Sequence, residues 1–166
     1  METNKDLVDR GIKLAKYLIS FLFIYTLSGL AFYLVETLYR GYSYGIMFVC
    51  TGICGLGLAL INDGGYRFET DYCIQVSTGA ALCTFLNLIV GKLFNGNYEI
   101  WDYRGMIGTL RIFDSQVNLF FVGLWIIIAT VAIPILDFVQ WQLGVGEKPY
   151  YRIGKKYFYP WGEKEE

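Results

Sequence analysis

The segment YEIWDYRGMIG, residues 98–108, concentrates side chains that could do chemistry. It places Trp101, Asp102, Tyr103 and Arg104 in four consecutive positions between two long apolar stretches. Three interpretations are open: a catalytic loop, a ligand site, or a belt at a membrane surface, where Trp and Tyr are enriched. Which of them applies depends on the reactive groups elsewhere in the chain and on the elements that position this segment.

The rest of the chain offers little support for catalysis. It contains no histidine, which removes the commonest general base, the commonest metal ligand and every His-based triad. The P-loop, GxSxG, HExxH and EF-hand patterns are all missing from the sequence. We therefore expect a protein that is not an enzyme and that has no catalytic residue, cofactor or metal site.

Four cysteines, Cys50, Cys54, Cys73 and Cys83, lie within apolar stretches, and none forms a CxxC pair. Cys50 and Cys54 share one face of a helix. A membrane thiol oxidoreductase is one interpretation. The sequence favours the other, in which the cysteines are small packing residues, because exchange chemistry is typical of CxxC pairs or loop cysteines.

The composition indicates a membrane protein. Hydrophobic residues make up 55% of the 166 residues and charged residues 17%, below the roughly 25% of soluble domains. A soluble domain of this size could not bury so much apolar surface. The net charge of −1 gives no general attraction for nucleic acid, so we expect no nucleic-acid partner.

Four apolar runs predict the fold class: an all-α polytopic membrane protein with four transmembrane helices. The runs cover residues 12–39, 44–61, 72–94 and 117–141, each near or above the ~20 residues that a bilayer requires. We expect residues 1–141 to form the transmembrane domain, with an interfacial outer loop between the third and fourth helices. Residues 142–166 form an aromatic and basic tail, which could lie on lipid headgroups or dock on a soluble partner.

The distribution of Lys and Arg predicts that both termini lie in the cytoplasm. With the N-terminus inside, ten of the fourteen basic residues lie on inner segments and four on outer ones. The outer four are Arg40, Lys92, Arg104 and Arg111. This orientation predicts a multi-pass protein of the cell membrane with YEIWDYRGMIG on the outer side.

Small residues predict how the helices pack, because close approach replaces apolar burial as the source of association in lipid. In the second helix, Thr51, Gly55 and Ala59 repeat at intervals of four. In the third, Ser77 pairs with Ala81, and Gly79 with Cys83. We expect these faces of the second and third helices to meet. The surface could serve tight packing or line a substrate path, and the sequence favours packing.

Two carboxylates, Glu36 and Asp137, lie late in the first and fourth apolar runs. An ionisable group within a bilayer costs roughly 2.5–3.5 kcal/mol on insertion scales and needs a partner or a wet cavity. Arg40 follows Glu36 by one helical turn, and Asp137 follows Pro134, where a kink frees backbone carbonyls. Each carboxylate fits a boundary pair or a role in transport or coupling, and their places at opposite faces argue against one dyad.

WDY at residues 101–103, after the apolar run ALCTFLNLIVGKLFN, also suggests a family. With the Gly-rich ICGLGLAL of residues 53–60 and Glu36 late in the first helix, this order resembles the ABC-transporter type IV permease family of CmpB-like membrane proteins. That family carries a similar Trp-Asp-Tyr and a Gly-rich second segment resembling I-Y-G-x-G-A-L-L. YSYGIMFVCTG stands here where the family has an Asn-Arg pair and prolines, and RGMIGTLRIFDSQ where it has an Asn-Gly turn. The resemblance covers roughly residues 20–140 and implies transport.

The predicted function is therefore that of a small permease-type membrane protein, surrounded by lipid and working as a homo-oligomer or with other membrane or ATPase subunits. One alternative is a membrane-embedded assembly subunit. Another is a homo-oligomeric channel with Gln75, Asn87 and Asn118 facing its centre. For YEIWDYRGMIG the sequence favours an aromatic belt. The other open interpretation is an outer vestibule or loop clamp with Asp102 as its functional residue. Asp102 and Arg104 are close enough in sequence to pair, and Gly105 and Gly108 allow the chain to turn there.

Overall fold

The computed structural model describes residues 4–62, 68–105 and 111–162. Four helices dominate this part of the chain: α1 (Asn4–Arg40), α2 (Gly45–Leu60), α3 (Tyr72–Phe94) and α4 (Leu119–Gln142). Two short antiparallel hairpins accompany them. The first, β1 (Arg111–Ile112) with β2 (Val117–Asn118), precedes α4, and the second, β3 (Tyr151–Ile153) with β4 (Lys156–Phe158), follows it.

Three of the four helices are long and apolar enough to cross a membrane. They are the stretches Asp6–Arg40, Tyr72–Phe94 and Leu119–Gln142, whereas α2 is apolar but has only 16 residues. The structure thus confirms a helix in each of the four apolar runs and a membrane-spanning length for three of them, and α3 has the predicted bounds. The fourth helix begins at Leu119 because Val117 and Asn118 pair with β1, and the Asn118 side chain accepts a hydrogen bond from the Phe120 amide at 2.8 Å.

The first helix differs most from its prediction. It begins at Asn4 rather than residue 12, so its first turns carry Asp6, Asp9 and Arg10 on an exposed surface. These turns lack the apolar run that marked the rest of the helix in the sequence. Hydrophobic periodicity identifies only the part of a helix that meets an apolar environment.

Helix α2 is the centre of the bundle, because it packs against each of the other three helices. Its side chains supply much of the buried core, including Cys50, Cys54, Leu58 and Ala59. Helix α1 packs chiefly on α2 and leaves a long apolar face exposed, including Leu18 and Leu22. That face is the one that lipid would cover.

The small residues of α2 bring it close to α1. A Cβ added at Gly55 would lie 2.0 Å from Ser28 Oγ and 2.4 Å from Ser28 Cβ, and one at Gly52 would lie 2.6 Å from the ring of Tyr25. Thr51 and Ala59 are buried on this helix as well. The predicted packing role of Thr51, Gly55 and Ala59 therefore agrees with their burial, but Gly55 faces α1 rather than α3.

The α3 side of the prediction is partly wrong. Ser77 and Ala81 are exposed, and the Ser77 hydroxyl donates to the Cys73 carbonyl of its own helix at 2.7 Å. The α3 face that meets α2 carries Gly79, where an added Cβ would lie 2.5 Å from Leu58. Ser77 and Ala81 on the outer face of α3 are four residues apart, and so are Gly79 and Cys83 on its inner face. The spacing alone therefore could not show which pair packs against α2.

The close contact at Gly55 generates a prediction. Gly55→Ala forces a methyl group into Ser28, so we expect the protein to lose about 1–3 kcal/mol of stability. Gly123→Ala is the matched control within α4, because nothing lies within 4 Å of its added Cβ. Removing a helical glycine there should leave stability unchanged or raise it by up to ~1 kcal/mol. Denaturation in detergent micelles measures both, and equal stabilities of the two variants would contradict the proposed contact.

Candidate functional site

The two ends of the bundle carry separate polar clusters. We call them the loop end, where α1 and α3 end and α4 begins, and the tail end, where α2 and α4 end and α3 begins. Glu36 and the residues from Trp101 to Arg104 lie at the loop end, and Asp137 lies at the tail end. The two carboxylates are thus at opposite ends, as predicted, and do not form a dyad.

Asn95, which follows α3, organises the loop end. Its fully buried side chain accepts a hydrogen bond from the Ile100 amide at 2.8 Å and donates one to the Trp101 carbonyl at 2.7 Å. Its Nδ2 also donates to Gln116 Oε1 at 3.2 Å, and the Gln116 side-chain Nε2 donates to the Asn95 backbone carbonyl at 3.2 Å. One buried amide therefore ties the Trp101 loop to the first hairpin.

Glu36 is held by an ion pair one turn along its own helix. Arg40 Nη2 lies 2.6 Å from Glu36 Oε1, and the Ser43 hydroxyl donates to Glu36 Oε2. Arg40 also donates from Nη1 to the Ile100 carbonyl at 2.8 Å, and its guanidinium lies 4.8 Å from the centre of the Tyr42 ring. The predicted Glu36–Arg40 pair is therefore present, and it joins α1 to the loop that Asn95 organises.

A groove of about 460 Å³ opens beside this ion pair. Side chains of all four helices and of the Trp101 loop form its walls. Its polar rim contains Glu36, Arg40, Asp102 and Asn118. Most of its remaining wall is apolar or aromatic, and includes Phe32, Val35, Tyr39, Met47, Trp101, Tyr103, Phe121, Val122, Leu124, Trp125 and Ile128.

The Trp101 loop forms part of the groove's wall and rim. The Trp101 indole donates to the Gln116 carbonyl at 3.2 Å, and the Tyr103 ring stacks on Phe121 of α4 at 4.8 Å. Burial, with the nearby Glu36 charge as a second cause, raises the pKa of Tyr103 to about 12. Tyr103 is thus a neutral phenol at physiological pH. The predicted turn at Gly108 lies outside the described residues.

Asp102 and Arg104 form the pair that their spacing suggested. Arg104 Nε donates to Asp102 Oδ1 at 2.9 Å and Arg104 Nη2 to Oδ2 at 2.8 Å, while the Arg104 amide also reaches Oδ1 at 2.8 Å. The guanidinium lies 4.1 Å from the centre of the Tyr98 ring. Both side chains are well exposed, so the pair stabilises the loop only modestly, and its bidentate geometry mainly fixes the loop's shape.

At the tail end, Asp137 is almost completely buried, with 3% of its surface exposed. Asn62 Nδ2 donates to Asp137 Oδ2 at 2.7 Å, and the Tyr151 hydroxyl donates to the same oxygen at 2.6 Å. Tyr151 is itself buried, and burial followed by the nearby Asp137 raises its pKa. A residue of the tail thus reaches into the bundle to bind the carboxylate of α4.

The second hairpin docks on the start of α3. Asp71 accepts hydrogen bonds from the Cys73 amide at 2.9 Å, which caps α3, and from the Gly154 amide at 2.6 Å. Arg152 Nε donates to the Glu69 carbonyl at 2.6 Å. The Gly154 amide is the main reason why the pKa of Asp71 lies below its usual value. Gly154, with a φ of 61°, occupies the first turn position, which hairpin turns favour for glycine.

Three of the four cysteines lie together in the core. Cys50, Cys54 and Cys83 are buried members of one core cluster, while Cys73 is exposed. All four are free cysteines. Within the described part of the chain, the His, Cys, Asp and Glu side chains form no group that could hold a metal ion. This placement fits the packing interpretation of the buried cysteines.

Of the six predicted functional residues, five gather at the loop end: Glu36, Trp101, Asp102, Tyr103 and Arg104. Sequence reasoning missed Asn95 and Gln116, which hold that loop in place, and it gave Tyr151 no role. An Asn-Gly step directly after an apolar run was a usable signal for Asn95. Tyr151 stands among several tail tyrosines, and nothing in the sequence distinguishes it from them.

The comparisons with protein-family models, with curated proteins and with solved structures found no match to this chain. The resemblance to CmpB-like membrane proteins therefore stays a prediction.

The docking of the hairpin predicts a pH effect. Because the pKa of Asp71 is lowered in the folded protein, its contribution to docking is present above the unfolded value of about 3.9 and is lost as the pH falls through the folded value. Asp71→Asn should imitate protonation, since its one carbonyl oxygen can still cap α3. We expect a lower protection of the Gly154 amide against hydrogen exchange, relative to the intrinsic rate at the same pH, in the variant and in the wild type in acid.

Asp9→Asn is the matched control for Asp71→Asn, because Asp9 is exposed on α1. It should leave Gly154 exchange unchanged at neutral pH. Equal protection of Gly154 in wild type and Asp71→Asn would show that the carboxylate does not hold the hairpin.

Proposed function

We propose that this protein is a permease-type, multi-pass protein of the cell membrane. It has four spans, and both of its termini lie in the cytoplasm. The argument for a fourth span concerns α2, which is shorter than the others. The chain passes from Tyr44, beside Arg40 at the loop end, to Asn62, beside Asp137 at the tail end. At about 1.5 Å per residue this path covers about 27 Å, close to the apolar thickness of a bilayer.

The observation that carries the permease proposal is the groove at the loop end. Residues of all four helices line it, so a molecule bound there would contact each helix that could move to open a path across the membrane. Its aromatic lining and its few polar groups are typical of small-molecule sites. The Glu36–Arg40 pair at the rim places an ionisable group of α1 beside the site, as substrate pathways in membranes often do.

Partner subunits complete the proposal. A four-helix bundle whose core is filled by α2 has little room for a path through its own centre, since Leu58, Ala59 and Ala129 are buried there. The exposed face of α1 offers a surface for a second copy or for another membrane subunit, and energy would come from an ATPase partner. Lipid surrounds the remainder.

Vesicle flux tests this function. The protein is reconstituted alone and with candidate ATPase subunits, and uptake is measured for anionic, cationic, neutral polar and amphiphilic solutes. We expect uptake of one class, and we expect Val122→Phe, which fills the groove, to abolish it. Val131→Phe is the matched control because Val131 is exposed elsewhere on α4. An absence of flux in every class, or equal flux in the two variants, would reject the proposal.

The second hairpin favours an alternative function, that of an assembly subunit. All three residues of strand β4 are exposed, and about half of the surface of Tyr157 and Phe158 is accessible at the edge of the docked hairpin. An exposed strand edge is a template for a partner's strand. A stoichiometric partner that co-purifies with the full chain and is lost on deleting residues 150–161 would support this function, and retention of all partners after the deletion would reject it.

The channel interpretation gains nothing from the positions of its residues. Gln75 is fully buried within one chain, and Asn87 and Asn118 both belong to the wall of the groove inside that chain. A pore shared between copies would require polar side chains on an outer face.

A further inference from the structure

The groove at the loop end opens sideways, towards the position of the lipid. Its two long walls are α1, through Phe32, Val35 and Glu36, and α4, through Val122 and Ile128. Helix α1 packs chiefly on α2 and has no extended contact with α4, so within residues 4–62, 68–105 and 111–162 these two walls do not close on each other. In a membrane, the opening would face the acyl chains of the outer half of the bilayer.

The groove changes from polar to apolar along its length. Its rim at the end of α1 contains Glu36 and Arg40, and one turn deeper the same helix presents Phe32. On α4 the wall runs from Asn118 at the rim to Ile128, ten residues or about 15 Å along the helix axis. This gradient matches a molecule that has a polar head and one apolar chain.

The charges at the rim cancel each other. Glu36 and Arg40 lie 2.6 Å apart and are bonded further to the Ser43 hydroxyl and the Ile100 carbonyl. Asp102 is likewise paired with Arg104. A ligand with a net charge would find no uncompensated opposite charge among these groups, whereas an uncharged or zwitterionic head would leave both pairs intact.

We propose that the groove binds a single-chain acyl amphiphile with an uncharged or zwitterionic head, entering sideways between α1 and α4. The head contacts the Glu36–Arg40 rim, and the chain lies along Val122 and Trp125. This proposal deepens the proposed function by naming the ligand class of the same groove, and it rests on that function for the membrane setting.

Fluorescence quenching tests the site directly. Lysophosphatidylcholine with a brominated chain is titrated into the full-length protein in detergent micelles, because the bromine quenches Trp101 and Trp125 in the groove wall. We expect saturable quenching at one ligand per chain that unbrominated lysophosphatidylcholine reverses. Val122→Phe should weaken binding about ten- to a hundredfold, whereas Val131→Phe, on the exposed face, should not. Unsaturable quenching, equal in both variants, would overturn the proposal.

The head-group preference provides a second readout that misfolding would not imitate. Lysophosphatidylglycerol, which is anionic, should bind at least about tenfold more weakly than the zwitterionic ligand. Glu36→Gln leaves the Arg40 charge uncompensated, so it should reverse that preference towards the anionic ligand. A wild-type preference for the anionic ligand, or no change in Glu36→Gln, would overturn the assignment of the head.

Binding and flux separate the two proposals. Saturable binding without transport of any solute would keep the amphiphile site and reject the permease. Transport of a soluble solute without amphiphile binding would keep the permease and reject this inference.

Discussion

Every polar group carried into an apolar bundle has to find its partner within the chain, because the surrounding medium offers none. In this protein the constraint is met at two places by different means. At the loop end, Glu36 is neutralised by Arg40, which belongs to the same helix. At the tail end, Asp137 is bound by Asn62, which follows α2, and by Tyr151 of the tail.

These two solutions give the ends of the bundle different characters. The ion pair of Glu36 depends only on α1, so it forms wherever that helix forms, and Arg40 can then bind the Ile100 carbonyl. The hydrogen bonds of Asp137 require α2, α4 and the tail to be assembled together. The tail end therefore holds three segments of the chain together. The loop end instead leaves an open groove beside a neutralised ion pair.

Close helix approach sets the remaining geometry. Gly55 and Gly52 allow α1 to lie against α2, which draws α1 away from α4. The groove lies in the space between α1 and α4, and among the described residues the loop that Asn95 holds forms part of its wall. A bulkier residue at Gly55 would thus change the groove as well as the stability of the bundle.

The sequence predicted the elements whose signal is local. The helices followed from apolar runs, and the Glu36–Arg40 and Asp102–Arg104 pairs from short spacing along the chain. It did not predict the contacts that join distant segments. Asn95 to Gln116 spans a loop, and Tyr151 to Asp137 joins a tail to a helix, and neither has a periodic pattern. The sequence also did not show which face of α3 points into the bundle. Ser77 and Ala81 were therefore assigned to an interface that they do not form.

The segment YEIWDYRGMIG combines two of the interpretations that its composition allowed. Trp101 and Tyr103 are amphipathic rings at the end of a span, as a belt requires, yet they also form the wall of the groove. Asp102 lies at the rim, but its carboxylate is occupied by the Arg104 side chain and amide. The two rings form part of the groove wall, and the pairing of Asp102 with Arg104 fixes the shape of the loop that carries them. Asn95 is the residue that makes both effects possible, since its buried amide binds the backbone from which Trp101 and Asp102 project.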